Sequence, residues 1–453
     1  MMCLNYFSKV IPLNFCRTLL AIILLADVGV VVAAVSKEKA DELGKSLTAY
    51  GAIHAGNANN TIPAWTGDGE PVVLMDEQPL FTITSTNKDE HRDYLNPGAL
   101  AMFERYPDSF IMNIYPSHRT ERSPDWVYEN SKKNALETQL LGDGDEIKNV
   151  WGGIPFPIPN SGKEVIWNHR LRWRGIFLRT DFVSMAVYNK DKTALNKTSV
   201  EVAFPFYYRE RGNKVEGYKL QYFLAINNYP PSQAGGSLLV YEGINARRTP
   251  RQAWAYSPGQ RRVRRVPNAG YDAPLADSHG MRVADEVDLF NGVADRYDWT
   301  LKGKQEMYIS YNNVRIKGDL TSIEDLVQNG HPNPAYLRYE KHRVWVLEAK
   351  LKSGMNHIYK TRVYYIDEDT WSIVYANLYD RREKLWRVSI AYLRHYPELP
   401  VTWAAMFVYH DLRKGAYFMQ GNGDEKSGRI YFEKNLPGPN HFSPAALRRK
   451  SFR

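Results

Sequence analysis

From about residue 165 onward, apolar residues recur at every second position in one short block after another. That period of two belongs to strands with one buried face, because successive side chains of an extended chain point to opposite sides. Val200, Val202, Phe204, Phe206 and Tyr208 form one set, and Leu220, Tyr222, Leu224 and Ile226 form the next. Trp254 with Tyr256, Met307 to Ile316, and Val344 with Val346 continue the series. The clearest hairpin runs from Tyr359, Thr361, Val363 and Tyr365 through Asp367-Glu368-Asp369-Thr370 to Trp371, Ile373 and Tyr375. Asp380-Arg381-Arg382-Glu383 then turns the chain again before Leu385 to Tyr392. These runs predict a mainly β, α+β fold: a large curved antiparallel sheet, or incomplete β-barrel, partly wrapped around a few helices. Such a sheet must have one face covered or occupied, and few helices are available to cover it.

The helical signals lie mostly before the meander. Ser36 can cap a short helix through Lys45. Asn96-Pro97 and Ser123-Pro124 each set a capping residue before a proline suited to a first helical turn, so Gly98 to Arg105 and Asp125 to Leu141 read as helices. Shorter helical patterns fall at 284–290 and 321–328. Residues 51–69 read as irregular loop, and the spaced prolines of Gly152 to Pro159 make a rigid extended connector. The expected organisation is therefore an N-terminal helical and loop-rich region over 35–164 that packs on a β half-barrel over 165–453. No fixed-period repeat is visible, which disfavours a propeller.

At the N-terminus, Lys9 and Arg17 precede an apolar run from Leu19 to Leu25, and Val32-Ala33-Ala34 meets the small-residue rule for cleavage. Residues 1–34 are thus expected to be a cleavable signal peptide, with the mature chain in the periplasm, peripheral to the outer membrane. Cys3 and Cys16 both lie in that leader, so a mature chain would hold no thiol for disulfide, thiolate or metal chemistry. The formal charge of +9 falls to +8 on removal of Lys9, Arg17 and Asp27. A positive balance suits anionic lipid, and export argues against nucleic acid. The 30 Tyr and 11 Trp favour strands and surfaces that are apolar at one end and wet at the other.

Candidate chemistry is sparse. Arg261, Arg262, Arg264 and Arg265 form the densest charge cluster; on a strand, Arg262 and Arg264 would share one face, with Arg261, Val263 and Arg265 on the other. Such a strip either binds an anionic head group or docking partner, or guards a sheet edge by charge. Asp143-Gly144-Asp145-Glu146 and Asp367-Glu368-Asp369 do not continue into a calcium-binding loop and read as turns. His118 and His169 read as backbone-bonding histidines, and no nucleophile elbow, phosphate loop or dinucleotide fingerprint occurs. The expectation is a protein without catalytic residues, metal or cofactor.

Several longer motifs carry a resemblance. They are Gly56-Asn57 with Thr61 to Gly67, Gly152 to Pro159 followed by Trp167-Asn168-His169, and Arg251 to Trp254 with Pro258 to Arg265. Tyr271-Asp272, Phe290-Asn291-Gly292 with Arg296 to Trp299, and His342 to Val346 belong with them. Together they resemble the secreted bacterial family called domain of unknown function 1329, whose members look like relatives of the outer-membrane lipoprotein-sorting (LolA/LolB-like) proteins. The resemblance implies an incomplete barrel that wraps helices and holds acyl chains, an outer-membrane β-barrel partner and an inner-membrane RND-type exporter.

With this resemblance the expected function is a non-enzymatic carrier or handler of lipid or other hydrophobic molecules. Phe204, Phe206, Tyr222, Leu224, Trp254, Tyr256, Trp345, Tyr365 and Trp371 are expected to line its ligand site. One alternative is an interaction protein bridging the exporter and the barrel; another is a hydrolase whose carboxylates do not pair in sequence.

Overall fold

The computed structural model describes residues 35–69, 74–189, 192–208, 219–246, 248–267, 271–316, 322–422, 430–438 and 440–451. The expected leader, with Cys3 and Cys16, lies outside the described residues. Two short strands, β1 (Phe81–Ile83) and β2 (Met112–Ile114), come first, followed by the small separate hairpin of β3 (Gln139–Leu141) and β4 (Glu146–Lys148). The meander then begins with β5 (Phe177–Asn189), β6 (Lys192–Ala203), β7 (Lys219–Tyr229), β8 (Ser237–Gly243), β9 (Gln252–Ser257) and β10 (Arg262–Val266). It resumes with β11 (Tyr297–Ser310), β12 (Tyr339–Leu351), β13 (Thr361–Asp367), β14 (Ile373–Tyr379), β15 (Leu385–Tyr396), β16 (Val401–Asp411) and β17 (Ala416–Asn422). A last short strand, β18 (Tyr431–Glu433), pairs with β5.

One 16-stranded sheet results, as the alternation predicts. Its strand order is β11-β12-β13-β14-β15-β16-β17-β5-β6-β7-β8-β9-β10, every pair antiparallel, with β2 added to β12 by a parallel bridge at Tyr339 and Ile114. The late meander thus joins the early one where β17 lies beside β5, and β10 ends the sheet. The sheet curls at its β11 side. Just beyond β11, the Asn313 backbone N–H donates to Leu393 O on β15 at 2.9 Å, although three strands separate β11 from β15 in the order. A flat sheet could not bring those atoms together.

Two helices fill the curl. In the helix Pro97–Arg105, the N-cap Asn96 accepts from the Ala99 N–H at 3.1 Å; this helix packs on β14 and β15. The helix of Gly162–Leu171 is capped by Ser161 and packs on β11 and β12. A single large core joins Met102 and Phe103 of the first of these helices and Ile166 and Trp167 of the second to Val344, Tyr375 and Tyr392 of the sheet.

Several local expectations are corrected. The Ser36 helix is one turn, Lys37–Ala40, and the helix expected from Asp125 to Leu141 stops at Glu137. Gln139–Leu141 becomes β3 because Gly142 and Gly144, at φ 59° and 75°, fold it back onto β4. Ser123 does not cap; its hydroxyl donates to Glu121 at 2.8 Å instead. No helix forms at 284–290, where Asp288 and Leu289 adopt left-handed φ of 57° and 60° that a right-handed helix cannot contain. Within 321–328 the helix is Ile323–Leu326, with a capping box from Ser322 and Asp325. The helix Gly162–Leu171 is unexpected, because nearly all its residues are buried and no polar face marks the 3.6-residue period.

Strand ends also move. Ala203 ends β6, so Phe204, Phe206 and Tyr208 lie beyond the strand; Pro205 has no N–H to donate and opens a 3₁₀ turn. Ser310 ends β11, leaving 311–316 irregular, and Trp371 sits in the hairpin turn at φ 58° rather than on β14.

Candidate functional site

Register assigns the side chains of the β6–β10 flank to two faces. Ala203, Tyr222, Tyr241 and Gln252 stand opposite one another across β6, β7, β8 and β9, and so do Glu201, Leu224, Leu239 and Trp254. Trp254 then faces Arg265, and Tyr256 faces Val263, on β10. Residues opposed in a ladder share a face, so these side chains make one apolar surface, named here the outer face. The same ladder places Val202, Phe223, Val240 and Ala253 on the other side, with Val200, Ala225, Leu238 and Ala255 beside them. Val200 and Val202 belong to the main core, so this second side is the inner face.

The C-terminal segment covers the outer face. Phe442 and Leu447 of the segment leading into and through the helix Pro444–Lys450 pack with Phe177, Ala203, Leu224, Leu239 and Tyr256 in a cluster separate from the main core. The Phe442 ring stacks on Tyr222 at 5.4 Å, and the Tyr241 hydroxyl donates to Phe442 O. Glu201, on this same face, takes contacts from His441 at 2.7 Å and from Lys450. Four of the expected ligand residues, Tyr222, Leu224, Trp254 and Tyr256, therefore gather here, against the chain's own C-terminal cover.

On the inner face the cover runs out toward the sheet edge. Phe223 and Ala225 are half-buried against the main core, Val240, Ala253 and Ala255 are half-buried outside both clusters, and Leu238 is exposed at 36%. Arg264 stands opposite Ala255 and Arg262 opposite Ser257, so both arginines border this apolar wall. At its other end Glu242 pairs with Arg251, whose guanidinium also donates to Asn291 O at 2.9 Å. Burial pushes the Glu242 carboxyl up, and Arg251 and Arg170 pull against it. The wall is thus greasy in the middle, cationic along one rim and polar at the base.

The arginines occupy the terminal strand of the sheet. Arg262, Arg264 and Arg265 are exposed on β10, and among the described residues no carboxylate pairs with them. Arg261 precedes the strand in a left-handed turn at φ 51°, off both faces.

The remaining expected ligand residues sit elsewhere. Phe204, Phe206, Tyr365 and Trp371 are buried in the main core, and Trp345 is packed against it. Trp371 is fixed from three sides: its indole donates to Tyr50 O at 2.9 Å, its ring stacks on Trp345 at 6.0 Å, and its carbonyl meets His169 Nδ1 at 3.2 Å. Both ring nitrogens of His169 face backbone carbonyls, as expected, and burial pushes the ring down to about 3. His118 departs from expectation, with its Nε2 3.0 Å from a Glu77 carboxylate oxygen.

The main core also carries charge. Asp285 pairs with Arg362 at 2.8 Å; burial pushes its carboxyl up, but Arg362 and His357 overcome this and hold it below the usual range. Beside it, burial pushes Glu286 up to about 7 against the pull of Arg387. Around the β13–β14 turn, His342 stands near Asp367 and Asp369, Arg119 grips Asp369 with two hydrogen bonds, and Arg343 and Lys304 pair with Glu368. Burial and the neighbouring Asp369 push the Asp367 carboxyl up.

None of Phe223, Ala225, Leu238, Val240, Ala253 and Ala255 belongs to the alternating sets that the sequence singles out. The signal of this open wall was present in Leu220 to Ile226, Leu238 to Tyr241 and Ala253 to Tyr256, which are nearly continuous apolar runs rather than alternating ones. Such runs mark strands that bury both faces.

Comparison with known proteins places the chain. A LolA superfamily protein from Nitrosomonas europaea is similar at 12% identity over 63% of this chain and 98% of that one, with a TM-score of 0.37. A DUF1329 family protein from Desulfovibrio piger is similar at 15% identity over 63% of this chain and 97% of that one, with a TM-score of 0.44. An uncharacterized protein from Pseudomonas aeruginosa is 40% identical over 435 residues, 93% of this chain and 95% of that protein. The profile of the protein family of unknown function DUF1329 matches residues 82–448, and the chain belongs to that family.

Proposed function

We propose that this protein is a non-enzymatic handler of amphiphiles in the periplasm, carrying lipid or another hydrophobic molecule toward or across the outer membrane. The observation that carries this reading is the inner face of β7–β10, where Phe223, Ala225, Leu238, Val240, Ala253 and Ala255 stay half-buried or exposed beside Arg262 and Arg264. Apolar area removed from water yields roughly 25 cal/mol per Å², so a long hydrocarbon laid on that wall binds with few polar contacts. The arginine rim then meets an anionic head group with guanidinium forks. The leader-like N-terminus supports export, and no described helix is long and apolar enough to cross a membrane. The apolar residues of the outer face, Tyr222, Leu224, Trp254 and Tyr256, form a second apolar surface that a guest reaches when the C-terminal cover leaves.

The test is native mass spectrometry of the full chain recovered from a periplasm, followed by displacement of a fluorescent fatty acid. The expected result is a co-purifying anionic amphiphile, lost in Val240→Asp and weakened in Arg262→Ser/Arg264→Ser. A wild-type protein that carries no amphiphile and binds no fatty acid or phosphatidylglycerol would overturn the reading.

A second reading has its own observation. As the sheet's terminal strand, β10 pairs on one side only and presents exposed arginines with no carboxylate partner among the described residues. That edge suits docking to an outer-membrane barrel or an inner-membrane exporter by strand addition. A photocrosslinker at Arg265 that traps such a protein equally with and without amphiphile would favour it.

A further inference from the structure

Asp367, at the end of β13, is a buried carboxylate that has no lysine or arginine partner among the described residues. Its Oδ2 accepts from the Thr370 backbone N–H at 2.9 Å and from the Thr370 hydroxyl at 2.7 Å. Its Oδ1 is fully buried and has no hydrogen-bond partner among the described residues. That orphaned oxygen points at His342 on β12, whose Nδ1 lies 3.8 Å away. The same Nδ1 is 4.0 Å from Asp369 Oδ2. Both distances exceed a hydrogen bond, so three strong ligand atoms face one another across a gap that none of them closes.

The surroundings hold those atoms in place. Glu340 Oε2 lies 3.3 Å from His342 Nε2, and this second contact leaves Nδ1 free toward the gap. Glu340 is itself fixed by Arg338 at 2.6 Å and by the His118 N–H at 2.7 Å. Arg119 holds both oxygens of Asp369, at 2.7 and 2.9 Å. The Tyr311 ring packs at 4.1 Å on the His342 ring, and its buried hydroxyl has no hydrogen-bond partner among the described residues.

We propose that His342 Nδ1, Asp367 Oδ1 and Asp369 Oδ2 bind a divalent transition-metal ion, of the Zn²⁺ or Mn²⁺ class. The three ligand atoms lie within 4.8 Å of one another, the spacing expected of groups that converge on an ion at roughly 2.0–2.3 Å with small side-chain adjustment. One imidazole and two carboxylates are a mixed N/O set, and all three residues are buried. The ion supplies a cation to Asp367, which has no lysine or arginine beside it among the described residues. Its role is structural, since it ties β12 to the β13–β14 turn, and burial of the ligands means that it enters as the chain folds.

The experiment uses the full mature chain. Protein refolded with Zn²⁺ or with Mn²⁺ and then dialysed is expected to retain about one metal per chain by elemental analysis. The Zn²⁺- or Mn²⁺-refolded protein is expected to melt several degrees above protein refolded in EDTA. Asp367→Asn and His342→Gln should abolish both the retained metal and the shift. Should those variants fail to fold, wild-type protein refolded with Co²⁺ gives an independent readout, the ligand-field absorption of a bound ion with nitrogen and oxygen ligands. Wild-type protein that retains no metal, shows no such absorption and melts identically with and without metal would overturn the proposal. So would Asp367→Asn protein that is as stable as wild type while wild type is metal-free, because a proton on Asp367 would then be doing the ion's work.

Discussion

At the scale of single residues, the core of this protein depends on charges that have been taken out of water together. Arg362 is fully buried, with Asp285 at 2.8 Å and the Tyr364 hydroxyl at 3.2 Å. Removing one partner strands the other, so Arg362→Ala should cost ~3–5 kcal/mol in urea unfolding. Asp285→Asn in the same chain should recover at least about 1 kcal/mol of it, measured as a double-mutant cycle. Additive losses would mean that the two side chains act independently. Glu286 makes the opposite case. Its carboxyl is pushed by burial from an ordinary 4.5 up to about 7, so folding favours the protonated form. That contribution is fully present below pH 4.5 and is lost as pH rises through about 7. Glu286→Gln keeps the shape and removes the titration. Between pH 5 and pH 8 the variant should therefore gain about 2 kcal/mol relative to wild type in denaturant titrations. A difference that stays constant across this window would mean that Glu286 is already ionised in the fold.

At the scale of elements, what could be read in advance was set by how each element meets water. Strands such as Leu385–Tyr396 were legible because their apolar residues are regular, and the hairpin around Asp367 because its acidic turn interrupts them. The helix Gly162–Leu171 was not legible, since an element buried on all sides leaves no periodic contrast. The same cause hid the inner wall: Phe223, Val240 and Ala253 alternate with residues that are also apolar, so period two could not say which side lay open. Burial could not be told from guest contact either, which is why Trp371 and Phe204 were expected at the ligand site and lie in the main core. The C-terminal cover is an element of the opposite kind, a short helix whose value lies in what it hides. Phe442, at 7% exposure, joins it to the outer face. Phe442→Ala should weaken that attachment by about 3 kcal/mol. Because its cluster is separate from the main core, the change should increase binding of a fluorescent apolar dye while far-UV circular dichroism stays constant. Loss of secondary structure without dye binding would show the cover to be part of the main folding unit.

At the scale of the whole molecule, the sheet is graded from a closed end to an open one. Strands β12 to β16 are buried almost throughout and close around two helices, whereas β7 to β10 present half-buried and exposed residues and end in a charged edge. Local opening is easiest where few apolar contacts shield the backbone hydrogen bonds. Amide exchange should therefore be slowest in β13–β16, faster in β7–β9 and fastest in β10, as read by hydrogen-exchange mass spectrometry on the intact chain. This gradient bears on handling a guest, because a wall that opens cheaply can admit a long apolar chain without disturbing the core that holds the fold. An amphiphile seated on Phe223, Val240 and Ala253 should slow exchange in β7–β10 and leave β13–β16 unchanged. Protection that spreads evenly over the sheet would mean that the guest binds a pocket shared with the core, and that the graded architecture has no part in its uptake.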